Sequence, residues 1–156
     1  MSAELVALLR AKRLRVATAE SCTGGMVAAA ITAVAGSSEV FEYGFVTYAD
    51  RAKTALLGVP AALIAAVGAV SQEVAASMAE GALAASGADL AVSVTGIAGP
   101  GGGSAEKPVG TVWFGLATRG GEINTLRRVF EGDRAAVRLA AREFALGMVM
   151  EKASGK

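Results

Sequence analysis

Between residues 14 and 33 the chain runs from an apolar, strand-like stretch, Leu14–Ala19, through the polar turn Glu20-Ser21-Cys22-Thr23-Gly24-Gly25, into an alanine-rich helical stretch beginning near Met26. A strand this apolar must be covered on both faces, which commits the chain to an α/β arrangement. The turn also puts two hydroxyls and a thiol at a helix N-terminus. Backbone N–H groups point there and the helix dipole favours negative charge, so an attacking oxygen or a developing oxyanion is stabilised at such a place. The plainer reading is that Ser21 or Thr23 is an N-cap and that Gly24-Gly25 only permits a tight turn.

The rest of the chain continues the alternation. Leu5, Leu8 and Leu9 predict a helix over Glu4–Lys12, Thr23–Ala33 is a second helix, and Phe41–Tyr48 (FEYGFVTY) is a β-rich second strand. Asp50 reads as the cap of a short helix, Arg51–Leu57, ended by Gly58 and Pro60; Ala61–Gly68 stays unassigned. Ser71 caps a helix that Gly87 ends, and Ala88–Thr95 (ADLAVSVT) is a buried strand. After the glycine-rich loop Gly96–Pro108, the runs Val109–Thr118 and Glu122–Phe130 form a hairpin through Arg119-Gly120-Gly121. Asp133 caps a last helix reaching about Glu151. The alternation implies an α/β fold, a sheet with helices on both faces. Its mixed sheet has about five strands, one of them antiparallel, in a single domain over residues 1–156. Ligands in such sheets bind beyond the carboxyl ends of the parallel strands. Those ends fall at Ser21, Tyr48 and Thr95, so the polar candidates gather on one edge.

Composition removes several functions. There is no histidine and Cys22 is the only cysteine, so Ser–His and Cys–His pairs, His-containing metal sites and thiolate cages are all excluded. A nucleophile here needs Lys, Tyr or a carboxylate as its base. With 15 basic and 14 acidic residues and no basic block, no nucleic-acid partner is expected. The uncharged stretches Ser21–Ser38 and Thr54–Gln72 are Ala- and Gly-rich, and Pro60 breaks the second, so they read as buried elements and not membrane spans. One cysteine and no signal-peptide pattern fit a reducing cytoplasm.

Three further segments carry chemistry. In Tyr48-Ala49-Asp50-Arg51-Ala52-Lys53, the lysine sits in a helix's first turn on an apolar run. Partial burial disfavours its charged form, and a lysine brought down to about 7–8 is a good general base at neutral pH. A solvated surface lysine is the competing reading. Tyr48 is either an edge aromatic or a group that relays a proton or orients Lys53. Thr95-Gly96-Ile97-Ala98-Gly99-Pro100-Gly101-Gly102-Gly103 spells neither a Walker A loop nor GxGxxG, but its amides can approach an anion closely. A flexible surface loop is the alternative. Gly132-Asp133-Arg134 opens the last helix, with Arg138 and Arg142 following at helical spacing. Arg134 opposes the dipole unless an anion joins it there; a solvated arginine stripe is the other reading.

Taken together, AESCTGG, YADRAK-TALLGV, SVTGIAGPGGG with GTVWFGLA, and the late GDR resemble the C-terminal domain of the competence-damage-inducible protein CinA over nearly the whole chain. The stand-alone form of that family is a nicotinamide mononucleotide amidohydrolase. The resemblance implies a three-layer α/β/α sandwich and hydrolysis of the mononucleotide carboxamide to nicotinic acid mononucleotide and ammonia, with no metal or cofactor. By motif, Ser21 matches the family nucleophile, Lys53 its general base and Tyr48 the tyrosine before it. Thr95 and Gly96 match the substrate-contacting TGIAGP segment, and Arg134 matches the arginine of GDR. Asp50 stands where many members have Asn. Amides around Thr23, Gly24 and Gly25 are the expected oxyanion donors, and the glycine loop, including Gly99 and Gly101, joins Arg134 as the expected phosphate site. The partner is then a pyridine mononucleotide, and a homo-oligomer is compatible with the family. Two other readings stand beside the Ser–Lys amidase: a nucleotide-binding regulatory module without useful turnover, and an amidase using Cys22, whose thiolate only the helix N-terminus would promote.

Overall fold

The computed structural model describes residues Met1–Lys156. Its elements follow the order α1 (Ser2–Lys12), β1 (Val16–Glu20), α2 (Met26–Thr32), β2 (Phe41–Val46), α3 (Asp50–Leu57), α4 (Ala61–Val67), α5 (Gln72–Ser86), β3 (Leu90–Gly96), β4 (Thr111–Thr118), β5 (Ile123–Val129) and α6 (Arg134–Ala153). One five-stranded sheet runs in the order β2-β1-β3-β4-β5. Strands β1, β2 and β3 are parallel, and β4 runs antiparallel to both β3 and β5. The sheet is therefore the mixed one expected, with β4 as its reversed strand.

Period-two alternation explains the layers. Along β3, Leu90, Val92 and Val94 enter the larger core, which α1, α2 and α6 complete with Leu5, Ile31 and Val137. Ala91 enters the smaller core, formed with Leu57 of α3, Ile64 of α4 and Met78 of α5. Ser93 and Thr95 share that second face and are buried, and each hydroxyl finds a carbonyl: Ser93 donates to Ala75 O at 2.6 Å and Thr95 to Ala69 O at 2.9 Å. Strand β1 alternates in the same way, and this fixes the chemistry: Ala17 and Ala19 face α3–α5, whereas Glu20 turns toward α2.

Several element ends differ from the sequence reading. Helix α2 begins at Met26 and not at Thr23, because Gly24 and Gly25 take left-handed backbone angles (φ 58° and 109°) and turn the chain before the helix starts. Asp50 is the first residue of α3, not its cap; Ala49 holds the cap position with no side-chain bond. Residues Ala61–Val67, left unassigned, form α4 between Pro60 and Gly68. Ser71 and Asp133 do cap α5 and α6, accepting from the amides of Val74 and Ala136. No helix is long and apolar enough to cross a membrane.

The register brings Glu20, Val46 and Val94 side by side at the carboxyl ends of the parallel strands. Beyond them Ser21 N donates to Val94 O, and Thr47 N to Glu20 O, both at 2.9 Å. The edge is thus tied laterally just where the turns leave the sheet. Helix α3 reaches this edge by resting on α5 at a single glycine: a Cβ at Gly81 would lie 1.9 Å from Leu57 O. Gly81→Ala should therefore lower stability by about 1–3 kcal/mol through overpacking, despite the better helix propensity of alanine. Denaturant unfolding checks this; a variant as stable as the parent would show that the close α3–α5 approach is dispensable.

Candidate active site

Strand β1 hands the chain to a turn held by several internal hydrogen bonds. Glu20, 1% exposed, accepts from Thr23 Oγ1 at 2.7 Å, Val27 N at 2.8 Å and Ala28 N at 3.1 Å. The anion that the α2 N-terminus favours is therefore the chain's own carboxylate. Gly24 N donates to Ser21 O at 3.0 Å, closing the turn, and Met26 N donates to Thr23 O. The amides of Cys22, Thr23 and Gly25 find no acceptor within the chain. The expected oxyanion set of Thr23, Gly24 and Gly25 is thereby corrected: the Gly24 amide is committed to the turn, and Cys22 takes its place among the free donors.

With Glu20 turned to α2, the next side chain, Ser21, turns to α3. There it meets Lys53. Lys53 and Leu57 lie one helical turn apart on the buried face of α3. Only 1% of Lys53 is exposed. Its Nζ lies 3.0 Å from Ser21 Oγ, 2.9 Å from Thr47 O and 3.2 Å from Tyr48 O. Burial lowers its pKa from the ordinary lysine value, with Asp50 and Cys22 pulling the other way. Asp50 compensates weakly, since its carboxylate is 3.9 Å away and largely exposed. As a neutral amine, Lys53 has two N–H bonds for the two carbonyls and one lone pair left for Ser21.

Cys22 is adjacent but chemically different. Burial pushes its thiol up to about 11, so it is not a thiolate at neutral pH. The expected role of Tyr48 also changes. The residue is 60% exposed, and its hydroxyl accepts from Arg134 Nη2 at 3.0 Å instead of reaching the Lys53 amine. What orients Lys53 is the Tyr48 backbone carbonyl. Arg134 also donates through Nη1 to Gly99 O at 2.9 Å, joining the glycine loop to the end of β2.

These groups enclose a cleft of about 290 Å³ lined by Ser21, Cys22, Tyr48, Gly96, Ile97, Ala98, Gly99, Gly101, Gly102 and Arg134. Gly96 must lack a side chain, since its Cβ would come within 2.7 Å of Val112 Cγ2. Thr95 is not among the lining residues; its hydroxyl is spent on Ala69 O, away from the cleft. Thr23 is buried behind the turn and bonded to Glu20. Sequence reasoning passed over the apolar wall of Ile97 and Ala98 and the structural use of Glu20. It also left Arg138 as one member of a stripe, whereas Arg138 donates to Cys22 O at 3.0 Å and Thr23 O at 3.4 Å. Arg142 bonds Glu143 instead and takes no part. No cluster of three His, Cys, Asp or Glu side chains suited to a metal ion occurs.

Known proteins resemble this chain closely. A nicotinamide-nucleotide amidohydrolase PncC from Enterobacter agglomerans is 58% identical over 146 residues, 94% of this chain and 89% of that protein. The Escherichia coli K12 protein of the same name is 56% identical over 146 residues, 94% of this chain and 88% of its own. The crystal structure of a CinA superfamily protein from Klebsiella pneumoniae 700603 superimposes with a TM-score of 0.94 at 41% identity, covering 99% of this chain and 96% of that one. The sequence model of the CinA C-terminal domain matches residues 1–153. With the strand order and the edge-of-sheet cleft described above, this chain belongs to the CinA C-terminal domain family.

Proposed function

We propose that residues 1–156 form one amidohydrolase domain that converts nicotinamide mononucleotide to nicotinic acid mononucleotide and ammonia through a Ser21–Lys53 acyl-enzyme. The observation that carries this reading is the 3.0 Å contact between Lys53 Nζ and Ser21 Oγ, made by a buried lysine whose other two bonds go to carbonyls. The close relatives named as nicotinamide-nucleotide amidohydrolases supply the substrate class.

In this mechanism Lys53 takes the Ser21 proton as Oγ bonds to the carboxamide carbon. The carbonyl electron pair moves to oxygen, and the unspent amides of Cys22 and Gly25 hold the oxyanion. The intermediate collapses, the C–N bond breaks, and Lys53 returns the proton to the departing nitrogen, releasing ammonia. Water, deprotonated by Lys53, then attacks the ester; the acid leaves and Ser21 regains its proton. Ile97 and Ala98 offer an apolar wall for the pyridine ring. Arg134 uses two of its five N–H donors on Tyr48 and Gly99, which leaves the others for the ribose phosphate.

Incubation of the protein with nicotinamide mononucleotide, with ammonia as the readout, tests the activity. Binding without ammonia release would favour a regulatory module instead. Ser21→Ala should abolish turnover, and Cys22→Ala should keep most of it because the buried thiol is protonated. The reverse pattern would move the nucleophile to Cys22.

Arg134→Ala should weaken mononucleotide binding by about 1.5–3 kcal/mol, the scale of a hydrogen bond to a charged group. Nicotinamide riboside lacks the phosphate, so its already poor turnover should hardly respond to the substitution. Equal losses for the two compounds would make Arg134 a purely structural link between Tyr48 and the glycine loop.

A further inference from the structure

Three successive carbonyls between α4 and α5 are taken by side chains, and two of those side chains bracket the glycine loop. Val67 O accepts from Lys107 Nζ at 2.8 Å, Gly68 O from Ser71 Oγ at 2.8 Å, and Ala69 O from Thr95 Oγ1 at 2.9 Å. Thr95 stands just before the loop, and Lys107 stands near its return to β4. Lys107 is the charged member. Its ammonium meets the last carbonyl of α4, at the negative end of the helix dipole, where a charge-assisted bond is stronger than one between neutral groups. Gly68 gives it room, since a Cβ there would lie 3.2 Å from Lys107 Nζ. Lys107 also closes its own turn: its N–H donates to Ser104 Oγ at 3.0 Å, and its carbonyl accepts from Ser104 N at 2.9 Å.

From there a series of contacts leads back to the cleft. Pro108, with its fixed φ, is all that separates Lys107 from Val109. The loop folds over Val109: Gly99 has no room for a Cβ against its side chain, and a Cβ at Gly103 would lie 2.8 Å from its N. Gly99 lines the cleft, and its carbonyl accepts from Arg134 Nη1 at 2.9 Å. We propose that Lys107 is a positioning residue for mononucleotide binding: its bond to Val67 O sets Val109, on which Gly99 rests, and so sets the carbonyl that aims the Arg134 guanidinium. This rests on the reading of Arg134 as the phosphate-binding group. Lys107 lines no part of the cleft, and its ammonium is spent on Val67 O, so it is not itself a phosphate ligand. Without the tether, the return of the loop is free to shift and Gly99 O moves with it. Arg134 then keeps only the hydroxyl of Tyr48, an exposed side chain.

The test is a double-mutant cycle with Arg134→Ala, read in the turnover of nicotinamide mononucleotide. Lys107→Met keeps the aliphatic stem and removes the donor. It should raise KM about tenfold, less than the full loss of a charged contact to the ligand. The same variant should keep kcat within about twofold, the pattern of lost uniform binding. In the Arg134→Ala background, Lys107→Met should change KM by no more than about twofold, because the group it acts through is gone. A merely structural role gives equal factors in both backgrounds. Lys107→Arg keeps a charged donor for this single carbonyl and should stay within about threefold of the wild type. Unchanged KM in Lys107→Met, equal factors in the two backgrounds, or Lys107→Arg as weak as Lys107→Met would each overturn the proposal. If Lys107→Met does not fold, Lys107→Gln, which loses the charge and the reach, replaces it in the cycle under the same criteria.

Direct binding separates this proposal from the catalytic reading. If the wild type releases no ammonia, the hydrolytic reading fails, and nicotinamide mononucleotide is no longer consumed. Calorimetric titration with it then gives the same cycle in Kd. A loss of about tenfold in Lys107→Met that vanishes in the Arg134→Ala background supports the positioning role. Equal factors in the two backgrounds, or a wild type that does not bind the mononucleotide, overturn it. Nicotinamide riboside adds a control for the phosphate: its binding should differ by no more than about twofold between the wild type and Lys107→Met. A loss as large as that for the mononucleotide would mean that Lys107 does not act through Arg134, and would overturn the proposal.

Discussion

Lys53 places a titratable nitrogen almost wholly out of bulk solvent, and its three neighbours within hydrogen-bond distance are Ser21 Oγ, Thr47 O and Tyr48 O. A buried ammonium with only a distant, exposed carboxylate for company is costly, so the fold favours the neutral amine. Two backbone carbonyls then select which way its lone pair points. Other features of the site follow from that arrangement. Strand β2 must end at Val46 for the carbonyls of Thr47 and Tyr48 to be free of the ladder, and α3 must start at Asp50 for Lys53 to lie beneath them. The glycine contact between α3 and α5 sets the depth of that helix.

The turn that carries Ser21 is the complementary half. Strand alternation sends Glu20 to one side of the sheet and Ser21 to the other, so two adjacent residues serve different purposes. Glu20 is consumed by the α2 amides and the Thr23 hydroxyl. That consumption has a chemical consequence: the carboxylate next to Ser21, bonded on both oxygens, is not free to act as a base toward the Ser21 hydroxyl. Arg138 and the Gly24–Ser21 bond hold the two carbonyls of this turn. The site is built from three ligatures to one short turn, drawn from α2, α3 and α6.

Much of this was readable before any coordinates. Apolar runs alternating with alanine-rich ones specified the sandwich, and the hairpin at Arg119–Gly121 specified the reversed strand β4. Ser21 and Lys53 stood out locally, one at a strand end and one on an apolar helical run. Their pairing followed only once the parallel strands were taken to end on one edge. The failures have a common physical origin. Whether Thr95 points its hydroxyl at the cleft or at Ala69, and whether the Gly24 amide is free or spent, depend on partners distant in sequence or on a turn geometry with several alternatives. Tyr48 reads as a partner for Lys53 by spacing, yet its exposed ring swings to Arg134, 86 residues later. Helix α4, Ala-Ala-Leu-Ile-Ala-Ala-Val, carries no polar residue from which a periodicity can be read.

The central claim is that Lys53 is a neutral amine held against Ser21 at the pH where the protein works. Nuclear magnetic resonance of protein carrying lysine labelled at the terminal methylene measures this directly, with Lys53→Met assigning the signal. The account predicts that Lys53 titrates below the ordinary lysine value of about 10.4 and that the acidic limb of kcat follows the same titration. The sign is fixed: below that pKa the ammonium can only donate to Ser21 Oγ, so activity falls as pH falls. Titration of Lys53 at the ordinary value, with full turnover at neutral pH, would contradict the account.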